Sequence, residues 1–163
     1  MSIHPRINLG AAGAILAVVC VAVAAGPASA KLTNDRITLG QAIGSVRVGM
    51  TRAQVHRILG RPTGGKTLEV YAKLGLTVGY FRGSTAVTVG TRNPAYATAK
   101  GVGPYRSTRA EVLATYPGAY CNTGQTICDL VGPKGRVTRF KFNSQNDLVV
   151  VGVALSKYVS SLH

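Results

Sequence analysis

The stretch V-G-M-T-R-A-Q-V-H-R-I-L-G-R-P, Val48–Pro62, returns in altered form as P-Y-R-S-T-R-A-E-V-L-A-T-Y-P-G, Pro104–Gly118. When Thr51 is laid on Thr108, 57 residues later, Thr, Arg, Ala and Val coincide and Gln54 stands against Glu111. Threonine is a good helix N-cap, and a Gln or Glu three residues on can reach back to the cap's own amide, so each run reads as a capping box. In the first, Ala53, Val55, Ile58 and Leu59 recur at helical spacing while Arg52, Gln54 and Arg57 face water. Gly60 then permits a left-handed closing residue and Pro62 forbids continuation. The spacing predicts helices over Arg52–Leu59 and Arg109–Tyr116, the second using Ala110, Val112, Leu113 and Tyr116 for burial and closed by Pro117-Gly118. Helices of two turns are marginal alone in water and must be held by packing. Thr51, Gln54, Thr108 and Glu111 are accordingly assigned to caps rather than to chemistry.

The segments after each helix supply the packing surface. Thr67–Leu74 alternates, which predicts Leu68, Val70, Ala72 and Leu74 on a buried face and Thr67, Glu69, Tyr71 and Lys73 on the opposite one. Leu76–Arg82 and Thr85–Thr91 continue the series. After the second helix come Ala119–Thr123, Thr126–Val131, Arg136–Asn143 and Leu148–Ala154, with turns marked by Gly135 and Asn146-Asp147. The expected fold is α+β: two tandem units, 31–92 and 104–163, each a short helix packed on a three- to four-stranded antiparallel sheet, with 93–103 as the connection. One such unit buries too little to be comfortable alone.

Ahead of the units, residues 1–30 have the grammar of a secretory signal peptide: Arg6 and no acid, the apolar run Leu9–Ala25, then Ala28-Ser29-Ala30, with cleavage expected after Ala30. The apolar run has 17 residues, short of the roughly 20 that span a bilayer. Lipid attachment at Cys20 is disfavoured by Val19 before it. Of 19 Lys plus Arg, Arg6 falls in this leader, so 18 face 5 Asp plus Glu in the remainder, a formal +13. Such a balance draws a protein to polyanions by salt-sensitive attraction.

Two cysteines lie beyond the leader, Cys121 and Cys128, and an even pair in an exported chain reads as a disulfide. With Gly124-Gln125 as a two-residue type II′ turn, Cys121 faces Cys128 across a hairpin. The closed loop should be worth roughly 2–3 kcal/mol. No metal site or cofactor is expected, because no further Cys or His clusters with the pair. The histidines of the exported part are His56 and His163, too few for a catalytic constellation, and Gly64-Gly65-Lys66-Thr67 lacks the glycine spacing of a phosphate loop and precedes a strand. The chain therefore reads as a non-enzymatic binding protein.

Alternation leaves Tyr71, Lys73, Thr77, Phe81 and Thr88 in the first unit, and Arg139 and Lys141 in the second, on solvent-facing sheet surfaces. Tyr71, Lys73, Phe81, Arg139 and Lys141 are the candidate binding residues, since rings give contact area at low entropic cost and cations steer a partner. The other reading of the rings has Phe81 buried between the units and Tyr71 shielding a sheet edge.

The run V-G-M-T-R-A-Q-V, within Val46–Pro62, with a looser match over Tyr105–Tyr116, resembles the helix-start signature of the beta-lactamase inhibitory protein fold. It is similar, less closely, to the outer-membrane assembly lipoproteins of the SmpA/OmlA type, which carry a single such unit. The first resemblance implies tandem helix-plus-sheet units in one secreted domain, and recognition of a target across the concave sheet face by acidic and aromatic residues. This chain departs from it in having few acids, Asp35, Glu69, Glu111, Asp129 and Asp147, and one candidate disulfide where the inhibitor has one per repeat. The leading expectation is a secreted or envelope protein that recognises another protein through exposed sheet faces. The alternatives are a basic envelope component held on anionic wall polymers or lipid headgroups and, third, a beta-lactamase inhibitor. Nucleic acid is disfavoured by export.

Overall fold

Both capping boxes form. Thr51 Oγ1 accepts from the Gln54 N–H at 3.2 Å while Gln54 Oε1 accepts from the Thr51 N–H at 2.8 Å. Thr108 and Glu111 repeat the exchange at 3.4 and 2.7 Å. The computed structural model describes residues 34–162; residues 1–30, expected to be a signal peptide, with Cys20, and His163, lie outside the described residues. Within them the order is β1 (Arg36–Thr38), β2 (Ala42–Ile43), β3 (Val46–Arg47), α1 (Arg52–Leu59), β4 (Leu68–Tyr71), β5 (Leu76–Phe81), β6 (Thr85–Thr91), β7 (Ala97–Thr98), α2 (Arg109–Thr115), β8 (Tyr120–Cys121), β9 (Ile127–Gly132), β10 (Arg136–Phe142) and β11 (Leu148–Leu155), with 3-10 turns at Ala72–Leu74, Pro133–Gly135 and Ser156–Ser161.

The fold is mixed α and β with two sheets. Seven strands form the larger one in the order β4-β5-β6-β11-β10-β9-β8, every neighbour antiparallel. Each helix is clipped to this sheet at its start. The Arg52 N–H donates to Ser84 O at 2.8 Å and the Arg109 N–H to Asn146 O at 2.9 Å, beside bridges Thr51 to Thr85 and Thr108 to Asp147. Val55 and Val112 are the fully buried residues of the two helices, and they share a core with Leu76, Val78, Val89, Phe140, Val151 and Val153 of the sheet's inner face.

The smaller sheet, β3-β2-β1-β7, is not foreseen by alternation. Residues 93–103 are more than a connection: β7 pairs parallel with β1, Arg36 opposite Ala97 and Ile37 opposite Thr98. Ile37, Ile43, Val46 and Tyr96 then close the core. Strands of two or three residues carry too short an alternation to be read from pattern.

The expected faces of the first long strand are reversed. Glu69 and Tyr71 are each 3% exposed, on the inner face, whereas Leu68 and Val70 are 36% and 37% exposed on the outer one. The cause is the 3-10 turn at Ala72–Leu74. Reading one continuous strand to Leu74 sets the phase from that buried leucine, but the turn breaks the period of two, so Leu74 is buried without obliging Leu68 and Val70 to be. Tyr71 is thus removed from the candidate binding surface, and Thr88 is buried as well.

Cys121 and Cys128 form a disulfide and stand opposite each other in β8 and β9. The turn between them is not the expected type II′: its left-handed residue is Gln125, φ 53°, rather than Gly124. Asn122 organises it, accepting from the Gln125 N–H at its carbonyl (2.8 Å) and from the Ile127 N–H at Oδ1 (3.0 Å). An asparagine side chain that substitutes for a backbone acceptor overrides the default two-residue turn.

Candidate binding surface

The inner and outer faces of the seven-stranded sheet carry different chemistry. On the inner face, Glu69 is gripped from three elements. Its Oε2 accepts from Tyr71 Oη at 2.8 Å and Tyr80 Oη at 2.9 Å. His56 Nε2 of α1 lies 3.0 and 2.9 Å from the two carboxylate oxygens. Arg52 Nε is 3.2 Å from Oε1, and the guanidinium sits 4.5 Å from the Tyr80 ring centre while also donating to Lys66 O. Burial, the largest influence on this carboxyl, favours its neutral form, but the bonds from Tyr71, His56 and Tyr80 together outweigh it and hold the pKa below the ordinary value. Burial and the neighbouring carboxylate push both phenols above their usual range. At neutral pH, then, Glu69 is an anion receiving protons in hydrogen bonds from two neutral tyrosines. The cluster rivets α1 to β4 and β5.

The outer face is floored by small residues. A lateral row of paired positions crosses the sheet as Val70, Thr77, Gly90, Gly152, Arg139 and Asp129, one residue from each of six adjacent strands. Glycine at Gly79 and Gly90 keeps this floor low: a Cβ there would fall 2.4 Å from Thr88 Oγ1 and 2.9 Å from Thr77 Oγ1. On the β4 side the floor opens into a trough of about 330 Å³ walled by Leu68, Val70 and Val150, with Arg92 at its rim. Beyond Leu68 lies a slot of about 280 Å³ lined by Phe81 and Tyr158 and floored by Gly79, Val87 and Thr88.

The other half of the row is covered by the segment after β11. The Arg139 guanidinium donates to both oxygens of Asp129, at 2.9 and 2.8 Å, and through Nη1 to Val159 O at 2.8 Å. Leu162, 7% exposed, lies over Gly152, where an added Cβ would be 2.7 Å from its Cδ2. Tyr158 meets Phe81 at 5.3 Å between ring centres, and Lys157 Nζ is 5.0 Å from the first ring and 5.9 Å from the second. Arg82 reaches the Phe81 ring at 5.2 Å.

Of the residues singled out from sequence, Phe81, Arg139 and Lys141 share the outer face. Phe81 is 41% exposed, Lys141 half-buried and Arg139 committed to its ion pair. Lys73 is exposed on the 3-10 turn after β4, and Tyr71 points into the core. Sequence reasoning missed Leu68, Val70, Val150 and Tyr158. Glycines inside strands were the signal that could have found the site, since a strand glycine marks a close approach. Among the described residues no group of three or more His, Cys, Asp or Glu could hold a metal, and no helix is long and apolar enough to cross a membrane.

No family model matches the chain, and no curated protein does. Among solved structures the chain is similar to a DUF4309 family protein (YjgB) from Bacillus subtilis, with 15% sequence identity and a TM-score of 0.48, over 71% of this chain and 88% of that one.

Proposed function

We propose that the protein is exported, and that it acts as a non-enzymatic binding protein that recognises another protein through the outer face of its seven-stranded sheet. The observation that carries this reading is the exposure of Leu68, Val70 and Phe81 in a trough and a slot that share Leu68 as a wall. Contiguous apolar surface on a soluble protein is uncommon where nothing covers it. The Cys121–Cys128 disulfide supports an oxidising compartment.

The tandem reading, with units 31–92 and 104–163 meeting at β6 and β11, is supported by the seam's register. Gly90 pairs with Gly152, Val89 with Val153 and Thr91 with Val151, so each strand reads the same way about the glycine pair. The matching clips of Arg52 and Arg109 support it too. It is the arrangement that the resemblance to the beta-lactamase inhibitory protein fold implies.

Charge favours a second reading, adhesion to anionic wall polymer or lipid headgroups. Among the described residues, only Arg52 and Arg139 of the lysines and arginines are ion-paired to carboxylates. The two readings separate in one experiment. A photo-crosslinking amino acid replaces Phe81, and the protein is sedimented with envelope from its source at low salt and at about 0.5 M, where screening acts within a few ångströms. A discrete crosslinked protein that survives high salt supports the first reading. Release by salt with no discrete crosslink supports the second and overturns the first. Added beta-lactamases, assayed for inhibition, test the third alternative.

A further inference from the structure

The outer-face row is alike on its two sides at the centre and unlike further out. Gly90 and Gly152 pair across the seam. Outward from Gly152 stand Arg139 and Asp129; outward from Gly90, at the matching places, stand Thr77 and Val70. On the first side the molecule shows what it places over a seam glycine: the aliphatic side chain of Leu162, with the Arg139–Asp129 pair alongside. On the second side a Cβ at Gly90 would meet only Thr77 Oγ1 at 2.9 Å and the Val151 carbonyl at 4.0 Å. The walls there are Leu68, Val70 and Val150, and the charged residue of the lining is Arg92, with no carboxylate. Lys141 neighbours this wall through its pairing with Val150.

We propose that the trough over Gly90 is a docking seat for one aliphatic side chain, leucine or isoleucine, carried on an acidic segment of the protein partner. The inference rests on the protein-binding reading and names that partner's chemistry. Shape is argued from the chain's own Leu162 over Gly152, and charge from the basic rim. An aliphatic group seated there is shielded from water on its whole outline except the open side, and carboxylates flanking it meet Arg92 and Lys141.

The test is a titration of the ¹⁵N-labelled full chain with the peptide Asp-Glu-Leu-Glu-Asp, followed by amide shifts. Saturable shifts are expected at Thr77, Gly90, Arg92 and Val150. Replacing the peptide leucine by asparagine should weaken binding by roughly tenfold or more, the worth of a buried aliphatic side chain. The double variant Val70→Asp/Thr77→Arg copies the Asp129–Arg139 pair into the trough and should weaken binding at least as much. If that variant loses its native spectrum, Arg92→Glu, at an exposed position, replaces it and should weaken the acidic peptide by roughly tenfold. The proposal is overturned if the shifts map elsewhere or do not saturate, if Lys-Lys-Leu-Lys-Lys binds equally well, or if the folded variant binds like wild type. A persisting crosslink at Phe81 with a failed titration sinks this seat alone; a missing crosslink sinks the protein-binding reading itself.

Discussion

At Glu69 the fold keeps a charge inside itself. The sign of its pH dependence is set by the lowered pKa: the stabilisation is fully present above the unfolded value, 4.5, and is lost as pH falls through the lower folded value. Urea midpoints measured from pH 7 downward should therefore fall below about pH 4.5, and Glu69→Gln should flatten that limb. At pH 7 the same variant should cost about 1–3 kcal/mol, because it leaves buried hydroxyls and a guanidinium facing a neutral amide. Equal slopes in wild type and variant would remove Glu69 as the cause. This residue also shows what pattern cannot carry. A glutamate and a tyrosine in alternation read as a solvent face, and only the convergence of His56, Tyr80 and Arg52 from other elements makes the inner face cheaper for them.

The short helices are the elements most exposed to single changes. Thr51→Ala and Thr108→Ala should each cost about 1 kcal/mol. Because eight or fewer residues cannot fray and persist, the loss should appear as faster amide exchange through the whole helix rather than at its first turn. Reduction of Cys121–Cys128 should lower stability by roughly 2–3 kcal/mol, read as a shift in thermal midpoint that Cys121→Ser/Cys128→Ser reproduces. The helix caps, the hairpin pairing and the places of the six long strands were legible because each signal lies within a few residues, although the faces of Leu68–Tyr71 were not. The β1–β7 pairing was not, since it joins residues 36 and 97 through strands too short to show a period, and the Ala72–Leu74 turn was not, since nothing local distinguishes it from a continued strand.

Over the whole molecule, the outer face is divided between a part that the described residues cover and a part that they leave open. The covering segment holds on through few anchors: Leu162 over Gly152, Val159 on Arg139 and Tyr158 on Phe81. Gly152→Ala should lift it, because the new methyl group would lie 2.7 Å from Leu162 Cδ2. The expected result is faster tryptic cleavage after Lys157 with the thermal midpoint little changed; unchanged cleavage would show that the segment is held independently of the glycine seat. Tyr158 escaped sequence reading because its importance depends on where the segment folds back, a long-range fact.

The seam between β6 and β11 also sets an order of construction. Its second strand, Leu148–Leu155, is the last in sequence of the seven, yet it stands at their centre. A chain emerging amino end first therefore carries β6 with one edge bare until residue 155 has emerged, and the middle of the sheet is the last part to be built. Until then the growing molecule is a set of strand edges open to the wrong neighbour.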